Sequence, residues 1–286
     1  MSAHDSELAA METNPKFIFF TDFDGTITLQ DSNDYMTDNI GYGAAKRKLG
    51  NKDTLEGKIA FRDSFKEMMD SISTPFSGCI QLLVDNITLD PYFTEFLSYA
   101  KAKNMPVVVL SGGMEAVIKA LFTKLVGEEL SKDIYVIGND VAVREGKRIE
   151  DVGGWEIKFH DESGFGHDKS RAIRPYANLP AEKRPTLFYA GDGVSDLSAA
   201  RETDLLFAKK GRDLVSYCVR EDVPFTIFED WSSITEKVKE IVDGKTNVKD
   251  AAVEGYQMYK AGLAKPKVLV SGHTTPMTKS GTNTPR

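Results

Sequence analysis

Residues 17–28, FIFFTDFDGTIT, restrict what this chain can fold into more than any other stretch. Four bulky apolar residues, Phe17 to Phe20, read as a buried strand. The strand runs directly into Asp22-Phe23-Asp24-Gly25-Thr26. Two carboxylates one residue apart are costly at the end of an apolar strand unless something uses them. On an extended strand Asp22 and Asp24 share a face. In a turn they direct one side chain and one backbone carbonyl toward a common point, an oxygen set that suits a hard cation such as Mg²⁺. Read alone, the same residues also fit an Asp-Gly turn after a strand.

Other strand ends bear on the choice. PVVVL, residues 106–110, is a β-branched strand that ends in Ser111-Gly112-Gly113. A helix carrying Val117, Ile118, Leu121 and Leu125 follows it. PTLFYA is another buried strand, and it ends in GDGVSD, which holds Asp192 and Asp196. IYVIGNDVAVREGKRIEDV predicts a hairpin of two alternating strands around Glu145-Gly146. Lys169 begins or precedes a short helix. A helix (SDLSAARE), a strand (LLFA), a helix, a strand (FTIF) and a final helix (SSITEKVKEIV) complete the alternation. Such alternation makes an α/β fold, a doubly wound parallel sheet covered on both faces.

Residues 31–105 break this pattern and read as a helical insertion. EGKIAFRDSFKEMMDSI places Phe61, Phe65, Met68 and Ile72 on one stripe, IQLLVDNI continues helical, and DPYFTEFLSYAKAKN predicts a helix with Asp90 as its N-cap. The expected division is a disordered lead over 1–14, a core over 15–30 and 106–245, a helical cap over 31–105, a C-terminal helix over 246–264 and a disordered tail over 265–286. The tail is rich in Ser, Thr, Gly and Pro.

The 286 residues carry a net charge of −7, which argues against a nucleic-acid partner. No apolar run reaches the length of a membrane span. Two distant cysteines, Cys79 and Cys218, match a reduced cytoplasmic or nucleocytoplasmic protein. A monomer or homodimer acting on a small phosphorylated metabolite is expected.

In open α/β sheets, sites lie at the carboxyl ends of strands. Asp22/Asp24, Ser111 and Asp192/Asp196 therefore converge on one crevice. The chemistry that suits them is phosphoryl transfer through a carboxylate nucleophile. Attack on an anionic phosphate needs charge neutralisation, which Mg²⁺ held by carboxylates supplies. The Ser111 hydroxyl and the N–H groups of Ser111-Gly112-Gly113, at a helix N-terminus, suit phosphate oxygens. A buried lysine adds positive charge. A second Asp beside the nucleophile can protonate the leaving oxygen and then activate water.

FTDFDGTIT, VVLSGG, HDKS and YAGDGVSD, in that order, resemble the four motifs of the haloacid dehalogenase (HAD) superfamily, and the resemblance spans residues 17 to about 240. It implies that Asp22 is the nucleophile and Asp24 the general acid/base. It implies that Ser111, Gly112 and Lys169 bind phosphate. The implied Mg²⁺ ligands are Asp22, the Asp24 carbonyl and Asp192, with Asp196 supporting the metal directly or through water. The second Asp of DxD marks phosphatases rather than dehalogenases. An inserted helical cap implies small substrates.

Within the superfamily, LSGGMEAV and GDGVSDLSAARETDLLFAKK resemble the phosphatases of methionine salvage, which act on a keto-sugar phosphate, and LEGKIAF resembles the cap of the phosphoserine phosphatases. The latter carry an arginine for the substrate carboxylate where this chain has Met68, which turns the expectation toward sugar or polyol phosphates. Asp31, Asn33 and Asp34 are the candidates for holding hydroxyls, with Asp31 equally suited to capping the first cap helix. Rival readings are a phosphomutase of the same superfamily and a non-catalytic protein that keeps the fold to bind a metabolite or partner.

Overall fold

The computed structural model describes residues 8–263. Seven strands form one sheet in the order β4-β3-β2-β1-β5-β6-β7. They are β1 Phe17–Thr21, β2 Val107–Met114, β3 Ile134–Val143, β4 Trp155–Lys158, β5 Thr186–Gly191, β6 Leu205–Lys209 and β7 Phe225–Phe228. All neighbours are parallel except β4, which runs antiparallel to β3. The helices, in chain order, are α1 Ser32–Ile40, α2 Ala44–Leu55, α3 Phe61–Asp70, α4 Phe76–Asn86, α5 Phe93–Ala102, α6 Glu115–Leu125, α7 Glu128–Ser131, α8 Lys169–Ala177, α9 Leu197–Ala200, α10 Asp213–Arg220, α11 Trp231–Val242 and α12 Val248–Lys260. Among the described residues, no helix is long and apolar enough to cross a membrane.

The side-chain alternation of β1 sorts the core into two layers. Phe19 faces a cluster with Phe93, Phe96, Phe188, Phe207 and Trp231, whereas Ile18 and Phe20 face another with Ile173, Tyr176, Leu187, Tyr189 and Leu214. A central strand coated on both faces reads as an unbroken apolar run, as FIFF does. Because β1 pairs with both β2 and β5, with Thr21 opposite Val109 and Ala190, the residues that follow these three strands emerge side by side.

The helical insertion leaves and returns at one place. Leu29 N–H donates to the Thr88 carbonyl at 2.9 Å and Asp90 N–H to the Ile27 carbonyl at 2.8 Å, clamping the two crossings together. The return therefore falls near residue 90 rather than 105. The last helix of the block, α5, lies on the sheet, with Phe96 4.7 Å from Phe19 and 4.8 Å from Trp231 between ring centroids. A helix expected in the cap thus buries Phe93, Phe96, Leu97 and Ala100 in the core.

Three further expectations change. Asp90 does not cap α5; its carboxylate accepts from Tyr92 N–H at 3.0 Å and from Trp231 N–H at 3.3 Å, fixing the start of α11. The partner of β3 is Trp155–Lys158, not KRIEDV, because residues 144–154 form turns instead. Residues 9–11 form a turn of 3₁₀ helix whose Ala10 is buried and donates its N–H to the Tyr176 hydroxyl oxygen at 3.4 Å, so the lead is structured from there; its first seven residues and the tail lie outside the described residues.

Candidate active site

Asp22 and Asp24 follow β1, and Asp192 and Asp196 follow β5. The Asp22 N–H donates to the Ala190 carbonyl at 2.8 Å, so the loop of residues 22–28 starts as an extension of the ladder. The chain then turns at Gly25, where φ is +72° and an added Cβ would lie 2.4 Å from Asp192 Oδ2. Only glycine meets both conditions. Trp231 Nε1–H donates to the Thr26 carbonyl at 2.9 Å and ties this loop to α11.

Lys169, at the first position of α8, is 2% exposed and reaches Asp22 Oδ1 at 2.8 Å and Asp196 Oδ1 at 2.6 Å. Asp196 is fully buried and its oxygens are heavily used. Oδ1 also accepts from the Tyr189 hydroxyl at 2.6 Å, and Oδ2 accepts from the N–H groups of Asp192 and Gly193, each at 3.0 Å. Asp22, Asp192 and Asp196 each offer an oxygen within 4.8 Å of the others. The Asp24 carboxylate is turned to the insertion: Oδ1 accepts from Ser32 N–H at 2.7 Å and Oδ2 from Asn33 Nδ2 at 2.9 Å.

Ser111 is buried, and its hydroxyl oxygen accepts from Gly113 N–H at 2.9 Å. Ser111-Gly112-Gly113 is not at a helix N-terminus as expected. It is a bulged continuation of β2, and α6 begins only at Glu115.

These residues line a cavity of about 280 Å³ between the sheet edge and the insertion. Its floor holds Asp22, Asp24, Ser111, Gly112, Gly113, Lys169 and Asp192; its roof includes Asn51, Thr54, Phe61, Ser64, Phe65 and Met68. Among the described residues lining it, Lys169 is the sole cation. Arg47, from α2, is spent on Asp34 at 2.6 Å and Asp38 at 2.7 Å. Asp34 is therefore ion-paired, although it borders the cavity. Asp31 caps α1, its carboxylate accepting from the N–H groups of Asn33 and Asp34, each at 2.8 Å. Asn33 is committed to Asp24. Of the three hydroxyl-binding candidates, then, each already has a structural partner.

Burial disfavours charge throughout this floor. Burial, with Asp196 beside it, pushes the Asp22 carboxyl up to about 7 against the lowering pull of Lys169. Burial, with the Asp31 charge, holds Asp24 well above the usual carboxylate range. Burial, with Asp22 and Asp196, does the same to Asp192. Burial also disfavours the Lys169 ammonium, but Asp196 and Asp22 outweigh it and raise its pKa. A hard divalent cation fits this all-oxygen set, since it keeps crowded carboxylates ionised.

Sequence reasoning missed Tyr189, whose hydroxyl sits on Asp196 but whose place in an apolar strand carries no sign of it. Phe61 lines the cavity, and His167 is buried with Nδ1 2.9 Å from the Ser111 carbonyl.

The haloacid dehalogenase-like hydrolase family model matches residues 19–201. A Schizosaccharomyces pombe protein named Pdp3-interacting factor 1 is 47% identical over 231 residues, covering 81% of this chain and 98% of its own length. Polyol phosphate phosphatase PYP1 of Saccharomyces cerevisiae is 46% identical over 239 residues, covering 82% of this chain and 97% of its own length. A 2-hydroxy-3-keto-5-methylthiopentenyl-1-phosphate phosphatase of Bacillus cereus is 25% identical, covering 79% and 97%. Among solved structures, a substrate-bound phosphoserine phosphatase matches with a TM-score of 0.58 at 20% identity, covering 78% of this chain and 98% of that one, a likeness of fold. The chain has the α/β architecture and the strand-end carboxylates of a phosphoryl-transfer hydrolase. It belongs to the haloacid dehalogenase-like hydrolases.

Proposed function

We propose that this chain is a Mg²⁺-dependent phosphatase that hydrolyses the phosphate monoester of a small sugar or polyol. The observation that carries the reading is the convergence of Asp22, Asp24, Ser111, Lys169 and Asp192 on one cavity. An Asp22 oxygen attacks phosphorus and the bond to the ester oxygen breaks. Asp24, whose burial favours the protonated form, gives its proton to the departing alkoxide. A water then loses a proton to Asp24 and attacks phosphorus, the bond to Asp22 breaks, and inorganic phosphate leaves. Lys169, Ser111 and the Gly112 N–H hold the phosphate oxygens.

Asp22, the Asp24 carbonyl and Asp192 hold the metal, which when bound neutralises the charge of the phosphate and its attacking carboxylate. Asp196 supports that set by fixing Lys169 and the backbone of Asp192 and Gly193.

The roof supports the substrate class. Asn51, Thr54 and Ser64 offer uncharged polar groups beside Phe61, Phe65 and Met68, and no roof cation is free among the described residues to meet a carboxylate or a second phosphate. The name of the yeast relative, a polyol phosphate phosphatase, agrees. A cytoplasmic location is consistent with Cys79 and Cys218, both buried free thiols.

The test measures inorganic phosphate released from polyol, sugar and amino-acid phosphates by wild type and Asp22→Asn. Release by wild type and none by the variant is expected; turnover retained in Asp22→Asn sinks the nucleophile assignment. Isomerised phosphosugar in place of free phosphate favours a mutase.

A further inference from the structure

Two buried polar side chains, His167 just before Lys169 and Asn139 on β3, meet the phosphate-binding loop from behind. Between Leu110 and Met114, β2 advances four residues while its partner β3 advances from Ile137 to Asn139, so Ser111-Gly112-Gly113 bulges out of the ladder. The bulge takes the carbonyls of Ser111 and Gly112 away from ladder partners. A buried carbonyl without a donor is costly.

Each carbonyl has instead a side-chain donor. The Ser111 carbonyl lies 2.9 Å from His167 Nδ1, and the Gly112 carbonyl accepts from Asn139 Nδ2 at 2.7 Å. His167 is 4% exposed and Asn139 is fully buried. A carbonyl only accepts, so Nδ1 carries the imidazole proton. The amide of Asn139 is fixed from both ends, because its Oδ1 accepts from His160 N–H at 2.9 Å. Gly138 leaves the room this needs: a Cβ there would stand 2.8 Å from the Gly113 carbonyl oxygen.

Peptide planarity turns these contacts into an orientation, since each N–H points opposite to the carbonyl of its own peptide. With the Ser111 carbonyl on His167, the Gly112 N–H faces the other way. With the Gly112 carbonyl on Asn139, the Gly113 N–H is turned onto Ser111 Oγ and holds that hydroxyl.

We propose that His167 and Asn139 are positioning residues for phosphate binding, which capture the two bulge carbonyls and so aim the Gly112 N–H and the Ser111 hydroxyl at a phosphate oxygen. The inference rests on the phosphatase reading of the same cavity, with Ser111 and Gly112 on the phosphate. It adds two residues that touch neither substrate nor metal and act only through the loop.

The test uses the full chain with inorganic phosphate as a competitive inhibitor, alongside the KM and kcat for a polyol phosphate and the thermal midpoint of each variant. In His167→Asn the amide N–H stands near the Nδ1 position; in His167→Gln it is carried one bond further, near Nε2. His167→Asn is expected to bind phosphate within about twofold of wild type, and His167→Gln about tenfold more weakly with KM raised in step. Asn139→Leu, similar in shape and without a donor, is expected to follow His167→Gln. Equal phosphate inhibition in folded His167→Asn and His167→Gln overturns the proposal. So does wild-type inhibition in folded Asn139→Leu. A wild type that releases no phosphate from any ester overturns the phosphatase reading itself, a result separate from any ranking of the variants.

Discussion

Lys169 Nζ lies 2.6 Å from Asp196 Oδ1, and both side chains are shut away from solvent, at 2% and 0% exposure. The pair joins the start of α8 to the loop after β5, and the same ammonium reaches Asp22 on the loop after β1. Three segments far apart in sequence are thus held by one buried charge. Removing either partner leaves the other buried with its charge only partly balanced, which costs up to about 3–5 kcal/mol. Asp196→Ala and Lys169→Ala are each expected to lose about that much stability in urea unfolding and to lose turnover. Tyr189→Phe keeps both charges and removes one hydrogen bond to the carboxylate, so a loss of about 2 kcal/mol is expected. Asp196→Ala with wild-type stability would contradict the role of this pair.

Gly25, in the loop after β1, faces the Asp192 side chain. A methyl there meets Asp192 Oδ2 at 2.4 Å, on a backbone with φ at +72°. Gly25→Ala is therefore expected to cost about 1–2 kcal/mol from the left-handed conformation alone. It also pushes Asp192 off the site, so activity should fall much further than stability, by about tenfold or more in kcat/KM. Wild-type turnover in Gly25→Ala would show that Asp192 tolerates displacement.

Burial pushes the His167 imidazole down from 6.5 to about 4, against the raising effect of its bond to the Ser111 carbonyl. The folded protein thus keeps this side chain neutral where the unfolded chain protonates it. Its contribution is fully present above pH 6.5 and is lost as the pH falls toward 4, at about 1.4 kcal/mol per unit, or roughly 3 kcal/mol in all. Below about 4 both states are protonated and the dependence flattens. His167→Asn has no such group, so its stability should fall less between pH 6.5 and 4. Parallel stability curves for the two proteins across that window would show that the imidazole does not stay neutral in the fold.

The strands that carry the site were legible because each is an apolar run with a polar ending, a pattern set by burial on both faces. Phe17–Thr21 and Thr186–Gly191 emerge as that pattern predicts. What was not legible depends on neighbours distant in sequence. Asp90 precedes a proline and a helical stripe and so resembles a cap, but a tertiary contact with Trp231 claims its carboxylate. The hairpin was misregistered because RIEDV alternates like a strand, whereas Asp151 closes a turn by accepting from Arg148 N–H at 2.8 Å. Asn139, His167 and Tyr189 sit in ordinary strand or loop contexts, and their partners exist only once the sheet has formed. Asp31 was legible as a possible cap of the helix that follows, and it caps α1; that Asn33 binds Asp24 rather than standing free is a matter of side-chain geometry.

Met68 lies in the roof on α3, buried and in contact with the cavity, at the position where the resemblance to phosphoserine phosphatases expects an arginine. Among the described residues the roof has no free cation for a substrate carboxylate, because Arg47 is bound by Asp34 and Asp38. A carboxylate entering the cavity loses its hydration without gaining a cation, and the carboxylates of the floor repel it. Phosphoserine should therefore be a poor substrate of wild type beside glycerol phosphate. Met68→Arg places a guanidinium where a bidentate pair can form. A charge-assisted hydrogen bond contributes about 1.5–3 kcal/mol, so the ratio of kcat/KM for phosphoserine over glycerol phosphate is expected to rise by about tenfold or more. The exchange should also destabilise the insertion, since a methionine packed beside Phe65 gives way to a charge. The selectivity ratio, taken on the folded fraction, separates the two effects. An unchanged ratio would mean that the roof does not approach the substrate, and the determinant of specificity would then lie on the floor with Asp31 and Asn33.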